Sequence, residues 1–210
     1  MTTVALPGTQ IMPCRPIVIG ASTGGVEALY TVLAGLPKDC PPTFVVQHMR
    51  PNYVEGFVAG LNRACCATVA MAADREPART GYIYVAPPGD YHLELAGQSA
   101  LIMRLVQSPP VQGHRPAADR LFQSAAQLPR PPAAALLTGM GRDGAEGLLC
   151  IRHAGGPTIA QDEATSIVYG MPRAARDINA ADHILPLPAI AGALLKASGY
   201  QSFVQQSARK

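Results

Sequence analysis

Short apolar runs recur along the chain and alternate with segments whose apolar side chains have helical spacing. A run rich in β-branched and apolar residues between turn-forming residues predicts a buried strand. Seven such runs occur, at residues 16–19, 43–47, 68–72, 82–86, 133–138, 158–161 and 183–185. Two further runs, at residues 92–95 and 101–105, are joined through Gly97 and Gln98 and predict an antiparallel hairpin.

Helical spacing is clearest between residues 26 and 36. Leu29, Val32, Leu33 and Leu36 lie at i, i+3, i+4 and i+7, and Pro37 then ends the helix. Further helices are predicted at residues 53–63, 116–127, 145–154 and 188–197. This alternation predicts an α/β fold with a doubly wound, mostly parallel sheet, helices on both faces and the hairpin as an antiparallel insertion.

The composition predicts one domain with a large core. The chain has 210 residues, of which 48% are hydrophobic and 15% charged, so it can bury a core without a disulfide or a metal. We expect this domain to span residues 15–198. Residues 1–14 are expected to form a flexible N-terminal segment, and residues 199–210 a polar C-terminal tail.

Charge and targeting signals narrow the function classes. The net charge of +3 comes from scattered lysines and arginines, and only 5% of the residues are aromatic, which argues against nucleic-acid binding. Residues 1–14 lack the pattern of a secretory signal, and no apolar run approaches the ~20 residues that span a bilayer. Five cysteines without a Cys-x-x-Cys pair suit free thiols in a reducing compartment. The sequence thus predicts a cytoplasmic protein that does not insert into a membrane.

Ser22 lies on the predicted turn from the first strand into the first helix, where residues 20–25 read Gly-Ala-Ser-Thr-Gly-Gly. Such a turn exposes a serine hydroxyl, and the backbone N–H groups that follow can face an oxyanion. The same glycines also suit a phosphate cradle at a helix N-terminus, so a nucleotide-binding module is the alternative. This turn matches neither the Gly-x-Gly-x-x-Gly nor the Walker pattern, which counts against that alternative.

Two further reactive residues are predicted at the same edge of the sheet, because parallel strands bring their carboxyl ends together. His48 directly follows the second strand, and its imidazole can accept a serine proton near neutral pH. Asp143 follows the strand at residues 133–138 and can orient that imidazole. Asp162, which also follows a strand, is a rival for this role. Capping roles for Ser22 or Asp143, and a structural role for His48, are the alternatives.

The other histidines carry less weight as functional residues. His92 is predicted in the hairpin, His114 in a polar loop, His153 in a helix and His183 at the start of a strand. No His-Glu-x-x-His or comparable cluster occurs, so we expect neither a metal nor another cofactor.

Short motifs spread over residues 16–195 resemble those of a known family. They occupy residues 19–25, 47–49, 84–87, 114–116, 137–141, 143–144, 160–161 and 169–173. In this order and without large gaps, they resemble the catalytic domain of the bacterial chemotaxis protein-glutamate methylesterases, the CheB family.

The resemblance implies a serine hydrolase with a doubly wound α/β fold. Its triad would be Ser22, His48 and Asp143, with an oxyanion site at the Met140 backbone N–H and Thr23 beside the nucleophile. The implied substrate is a γ-glutamyl methyl ester on the cytoplasmic helices of a chemoreceptor or a related methylated signalling protein, and the products are glutamate and methanol. The family can also deamidate receptor glutamines.

Two features depart from the family pattern. Members usually carry an N-terminal receiver domain that covers the active site until it is phosphorylated. About fifteen residues precede the first strand here, so control in cis is expected to be absent. Arg50 replaces a proline that is common after the His-Met pair, and Arg142 replaces a small polar residue beside the aspartate. Both arginines are expected to alter substrate preference.

Overall fold

The computed structural model describes residues 14–98 and 100–201 of the chain. Its main sheet consists of β1 (Ile17–Ala21), β2 (Thr43–Gln47), β3 (Thr68–Met71), β4 (Tyr82–Val85), β7 (Ala133–Leu136), β8 (Thr158–Gln161) and β9 (His183–Leu185). These strands are arranged in the order β3-β4-β2-β1-β7-β8-β9, and all neighbours pair parallel. A separate antiparallel pair consists of β5 (His92–Ala96) and β6 (Ile102–Val106).

The helices of the described residues are α1 (Gly25–Ala34), α2 (Pro51–Ala64), α3 (Ala118–Ala126), α4 (Ala145–His153), α5 (Met171–Asp177) and α6 (Leu187–Ser198). The predicted fold class is confirmed. All fourteen predicted elements are present, and their ends differ from the predicted ones by at most two residues. The prediction missed α5, because its seven residues are too few to show helical periodicity and Pro172 stands in its first turn, where proline is tolerated.

Each face of the sheet carries its own core. Helices α1, α2 and α6 pack on one face, and α3, α4, α5 and the β5–β6 hairpin pack on the other. The alternation of side chains along β1 serves both cores, since Ile17 and Ile19 point to the first and Val18 to the second. With both faces covered, the whole of β1 is buried, which explains its continuous apolar run.

The strand order reverses at β1. From β1 the chain builds outward through β2 and β4 on one side, and it later returns to place β7 on the other side of β1. In open α/β sheets such a switch point opens a crevice beyond the carboxyl ends of the strands. The loops after β1, β2 and β7 therefore meet at one place.

The predicted terminal segments, residues 1–14 and 199–210, lie almost entirely outside the described residues. Within residues 14–98 and 100–201, no helix is long and apolar enough to cross a membrane.

Candidate active site

Strands β1 and β2 present Ser22 and His48 side by side. Ala21 and Gln47, the last residues of these strands, are direct partners in the sheet, and the His48 N–H donates to the Ala21 carbonyl at 3.1 Å. The Gln47 side chain fastens the two turns together, because its Nε2 donates to the carbonyls of Ser22 and His48, both at 2.9 Å. Sheet register therefore sets the nucleophile candidate beside the base candidate.

Asp143 reaches His48 from the loop between β7 and α4. Its Oδ2 lies 2.8 Å from His48 Nε2, and the residue is only 1% exposed. The carboxylate also accepts hydrogen bonds from the backbone N–H groups of Ala118, at 2.7 Å, and Asp119, at 3.0 Å, where α3 begins. Burial raises the pKa of Asp143, but the hydrogen bonds from His48 and from these two N–H groups outweigh it and hold the pKa below its usual value.

The ionised Asp143 carboxylate determines the tautomer of His48. A carboxylate can only accept, so the proton of the neutral imidazole lies on Nε2 and the lone pair on Nδ1. Nδ1 is buried and has no hydrogen-bond partner among the described residues. Nδ1 is therefore the ring nitrogen that can accept a hydrogen bond from a hydroxyl such as that of Ser22. In chymotrypsin the histidine contacts its aspartate through Nδ1, whereas here His48 contacts Asp143 through Nε2.

Two backbone N–H groups beside Ser22 are free to donate. Within residues 14–98 and 100–201, the N–H groups of Thr23 and Met140 have no acceptor. Gly139 brings the two turns close together, because a Cβ atom at this position would lie 2.7 Å from Ser22 Cβ. Two unpaired donors next to a serine hydroxyl form the arrangement that stabilises an oxyanion.

The turn that carries Met140 is held by buried polar side chains. Thr138 Oγ1 donates to the Thr23 carbonyl at 3.0 Å and accepts from the Val168 N–H at 2.9 Å. Gln161 Oε1 accepts from the Thr138 N–H at 2.8 Å. These contacts join the turns after β1, β7 and β8, so the positions of the Thr23 and Met140 N–H groups are set before substrate binds.

His114, which is predicted in a polar loop, stacks on His48. The ring centroids are 3.7 Å apart and the planes differ by 7°. Burial, followed by repulsion from His48, lowers the pKa of His114, so this ring is neutral near pH 7. The neighbouring Arg115 fixes the loop by donating to the carbonyls of Gly89 and Ser108 and to the carboxylate of Asp90. Only the motif at residues 114–116 pointed to this region, and no periodicity in the sequence predicts the stack.

The structure separates Asp162 from the imidazole. Asp162 Oδ1 accepts from the Thr165 N–H at 3.0 Å and so closes a local turn after β8. His92 lies in β5, as predicted, and its ring bridges the Ala117 N–H and the Pro109 carbonyl, which is a structural role. Arg142 is engaged on the surface with Glu146 at 2.8 Å.

A second buried carboxylate, Asp119, lies beside Asp143. Its Oδ1 accepts from the Gly147 N–H in the first turn of α4 at 2.7 Å, and Gln112 Nε2 donates to its Oδ2 at 2.9 Å. Burial is the main cause that raises the pKa of Asp119 to about 6, and the charge on Asp143 adds to it. Asp143, which precedes α4, thus caps α3. Asp119, which lies in the first turn of α3, caps α4.

Side chains of the protein occupy the helix N-termini that could bind phosphate. At α1, a Cβ atom on Gly24 would lie 2.5 Å from Ile167 Cβ, so an apolar side chain covers the turn. The turn before α4 does read Gly-x-Gly-x-x-Gly at residues 139–144, but the Asp119 carboxylate already accepts from the N-terminus of that helix. The nucleotide-binding alternative has no support in this geometry.

An apolar trough opens next to His48. Its volume is about 540 Å³, and it lies between α1, the end of β2 and α2. We call this the α1–α2 trough; its apolar lining is Val26, Tyr30, Met49, Tyr53 and Phe57, and Arg50 stands among these side chains.

Comparisons with known proteins agree with this geometry. The family model described as CheB methylesterase matches residues 17–194. A protein-glutamate methylesterase/protein-glutamine glutaminase of Agrobacterium fabrum is 50% identical over 183 residues, which are 87% of this chain and 52% of the relative. One from Pseudomonas aeruginosa is 50% identical over 182 residues, with 86% and 52% covered. The chain thus spans about half the length of these curated relatives.

A solved structure covers the same region. The crystal structure of the Thermotoga maritima CheB methylesterase catalytic domain has a TM-score of 0.83 and 36% sequence identity, over 87% of this chain and 97% of that one. Neither the family match nor the relatives support a nucleotide-binding module. The chain belongs to the CheB methylesterase family.

Proposed function

We propose that this protein is a serine hydrolase that removes methyl groups from γ-glutamyl methyl esters on the cytoplasmic helices of chemoreceptors, or on a related methylated signalling protein. One observation carries the proposal: Asp143 Oδ2 lies 2.8 Å from His48 Nε2, and the buried Nδ1 of the same ring has no partner among the described residues, next to the turn that carries Ser22. The relatives' names supply the ester as the substrate class. As part of the same proposal, the enzyme acts in the cytoplasm, where these receptor helices lie.

The proposed reaction begins when Ser22 Oγ attacks the ester carbonyl while His48 Nδ1 takes its proton. The resulting oxyanion accepts hydrogen bonds from the N–H groups of Thr23 and Met140. His48 returns the proton to the methoxide, methanol leaves, and an acyl-enzyme is formed. Water activated by the same nitrogen then releases the glutamate. Each oxyanion donor typically contributes ~2.7–4 kcal/mol to lowering the barrier.

The same site suits an amide as well as an ester. Both carbonyls pass through a tetrahedral oxyanion, and His48 can protonate ammonia as it protonates methoxide. The relatives' names pair methylesterase with protein-glutamine glutaminase activity. We therefore include deamidation of receptor glutamines in the proposal, with release of ammonia as its measure.

The substitution Ser22→Ala tests the proposal. Methanol release from methylated receptor membranes should fall by a factor on the order of 10⁴ or more. The fold should survive, because the hydrogen bonds at Ser22, to Thr138 and from Gly25 and Gln47, all use its backbone.

The matched control is Ser108→Ala, in the loop after β6, since the Ser108 side chain has no hydrogen bond among the described residues. Methanol release by Ser22→Ala at the wild-type rate would remove Ser22 as the nucleophile.

A further inference from the structure

The α1–α2 trough is larger than the ester requires. Its volume of about 540 Å³ lies within the ~300–1,000 Å³ typical of whole ligand pockets, whereas a glutamyl methyl ester is one short side chain. Because the trough opens beside His48, whatever fills it lies next to the reacting ester. The trough is therefore suited to residues of the substrate protein that flank the ester.

Exposed apolar side chains surround the Ser22 turn. The most exposed large apolar residues in the described part of the chain are Ile167 at 72%, Met140 at 68% and Tyr53 at 60%. Ile167 covers Gly24, Met140 follows Gly139 at the Ser22 turn, and Tyr53 lines the trough. Apolar side chains gathered around one site indicate a protein-binding surface. A helix, about 10 Å across, can cover such a surface.

Arg50 gives the α1–α2 trough a positive charge. Of the nine residues that line the trough, Arg50 is the one that carries a permanent charge, and no carboxylate is among them. Arg50 is exposed, and it forms no salt bridge with any described residue. As the N-cap residue of α2 it has an extended backbone, and Pro51 follows, so its position at the mouth of the trough is set by the helix start.

We propose that Arg50 and the α1–α2 trough select an acidic substrate helix, with a carboxylate one turn from the esterified glutamate paired with Arg50 and an apolar side chain in the trough. This inference rests on the proposed function and names the partner's chemistry. Residues three or four apart lie on the same face of a helix, about 5–6 Å apart, so such a carboxylate accompanies the ester into the site.

The experiment compares two helical peptides that carry one glutamate γ-methyl ester and differ at the residue four positions away, glutamate in one and glutamine in the other. For the wild-type protein, kcat/KM should be about two- to fivefold higher for the glutamate peptide, the range expected of a charge pair at the rim of a site. Arg50→Glu should abolish this preference and favour a third peptide with lysine at that position. The preference should also weaken in about 0.5 M NaCl, because salt screens exposed charges.

The matched control is Arg104→Glu, which makes the same charge change at an exposed position on β6 and should keep the wild-type preference. Equal rates for the glutamate and glutamine peptides, or an unchanged preference in Arg50→Glu, would overturn the inference while ester hydrolysis stands.

If the wild-type protein hydrolyses none of the peptides, the proposed function fails, and binding decides the docking inference separately. Fluorescence anisotropy on the Ser22→Ala variant measures that binding. Tighter binding of the glutamate peptide that is lost in Ser22→Ala/Arg50→Glu supports the docking surface, and equal binding overturns it.

Discussion

Two side chains hold the His48 ring, one at its edge and one at its face. Asp143 engages the edge of the ring at Nε2 and so determines which nitrogen carries the proton, whereas His114 covers the face of the ring at 3.7 Å. The first contact fixes the tautomer, and the second fixes the plane of the ring. Because the Arg115 hydrogen bonds hold the loop of His114, both restraints exist before substrate binds.

His114→Ala should reduce kcat about tenfold to a hundredfold with little change in KM, because a ring free to tilt presents Nδ1 badly to Ser22. His114→Phe should keep most of kcat, since the phenyl ring still stacks. Methanol release measured over a range of substrate concentrations gives kcat and KM for both variants.

The control for this pair is His153→Ala, at the exposed end of α4. If His114→Ala and His114→Phe lose kcat equally, His114 does not act by stacking.

At the scale of elements, α3 and α4 are joined at their N-termini by two exchanged carboxylates. Asp143 precedes α4 but caps α3, and Asp119 belongs to α3 but accepts from α4. Each helix therefore helps to orient a charged group of the other. The arrangement ties the position of the Asp143 carboxylate, and through it His48, to the packing of two helices rather than to one loop.

Asp119→Asn should flatten the pH dependence of stability between about pH 4 and 6. In the folded protein the pKa of Asp119 is about 6, whereas in the unfolded chain it has the ordinary value of 3.8. The folded state thus holds more protons in this window, so this group lowers the free energy of unfolding as pH rises. Between pH 4 and pH 7, the variant should therefore lose about 2 kcal/mol less of its free energy of unfolding than the wild type does. The amide oxygen still accepts from Gly147, and Gln112 can turn its amide.

Urea unfolding at pH 4, 5, 6 and 7 measures the difference between the two proteins. Asp177→Asn, an exposed carboxylate at the end of α5, is the control and should follow the wild-type curve. A pH dependence in Asp119→Asn identical to that of the wild type would show that Asp119 is ionised throughout.

For the whole molecule, the sheet is the common wall of two separate cores. Leu33 on α1 belongs to the core on one face and Phe122 on α3 to the core on the other, and both are fully buried. Neither core exists without the sheet, so we expect the domain to unfold as one unit.

Leu33→Ala and Phe122→Ala should each lower the free energy of unfolding, by about 2–5 and 3–5 kcal/mol respectively, while leaving a single transition. The chain has no tryptophan, so tyrosine fluorescence and far-ultraviolet circular dichroism are the two probes. Coincident curves are expected for both variants. Separate transitions in either variant would mean that one face can unfold while the other persists.

The sequence alone determined most of the scaffold and the reactive residue types. Short apolar runs and the 3.6-residue helical period were sufficient for the parallel sheet, its covering helices and the hairpin, because burial in the core imposes both patterns locally. The motifs led to Ser22, His48 and Asp143, and strand ends explained why they could meet. The short helix α5 was missed, since seven residues with an early proline carry little periodic signal.

Only the tertiary structure decided how these residues are used. The tautomer of His48, the stack of His114 and the exchange of carboxylates by Asp119 all depend on contacts between residues distant in the chain. So does the trough that places Arg50 beside the candidate active site. Periodicity reports which face of an element is buried, but the order of strands in the sheet decides which loops meet, and no local pattern contains that order.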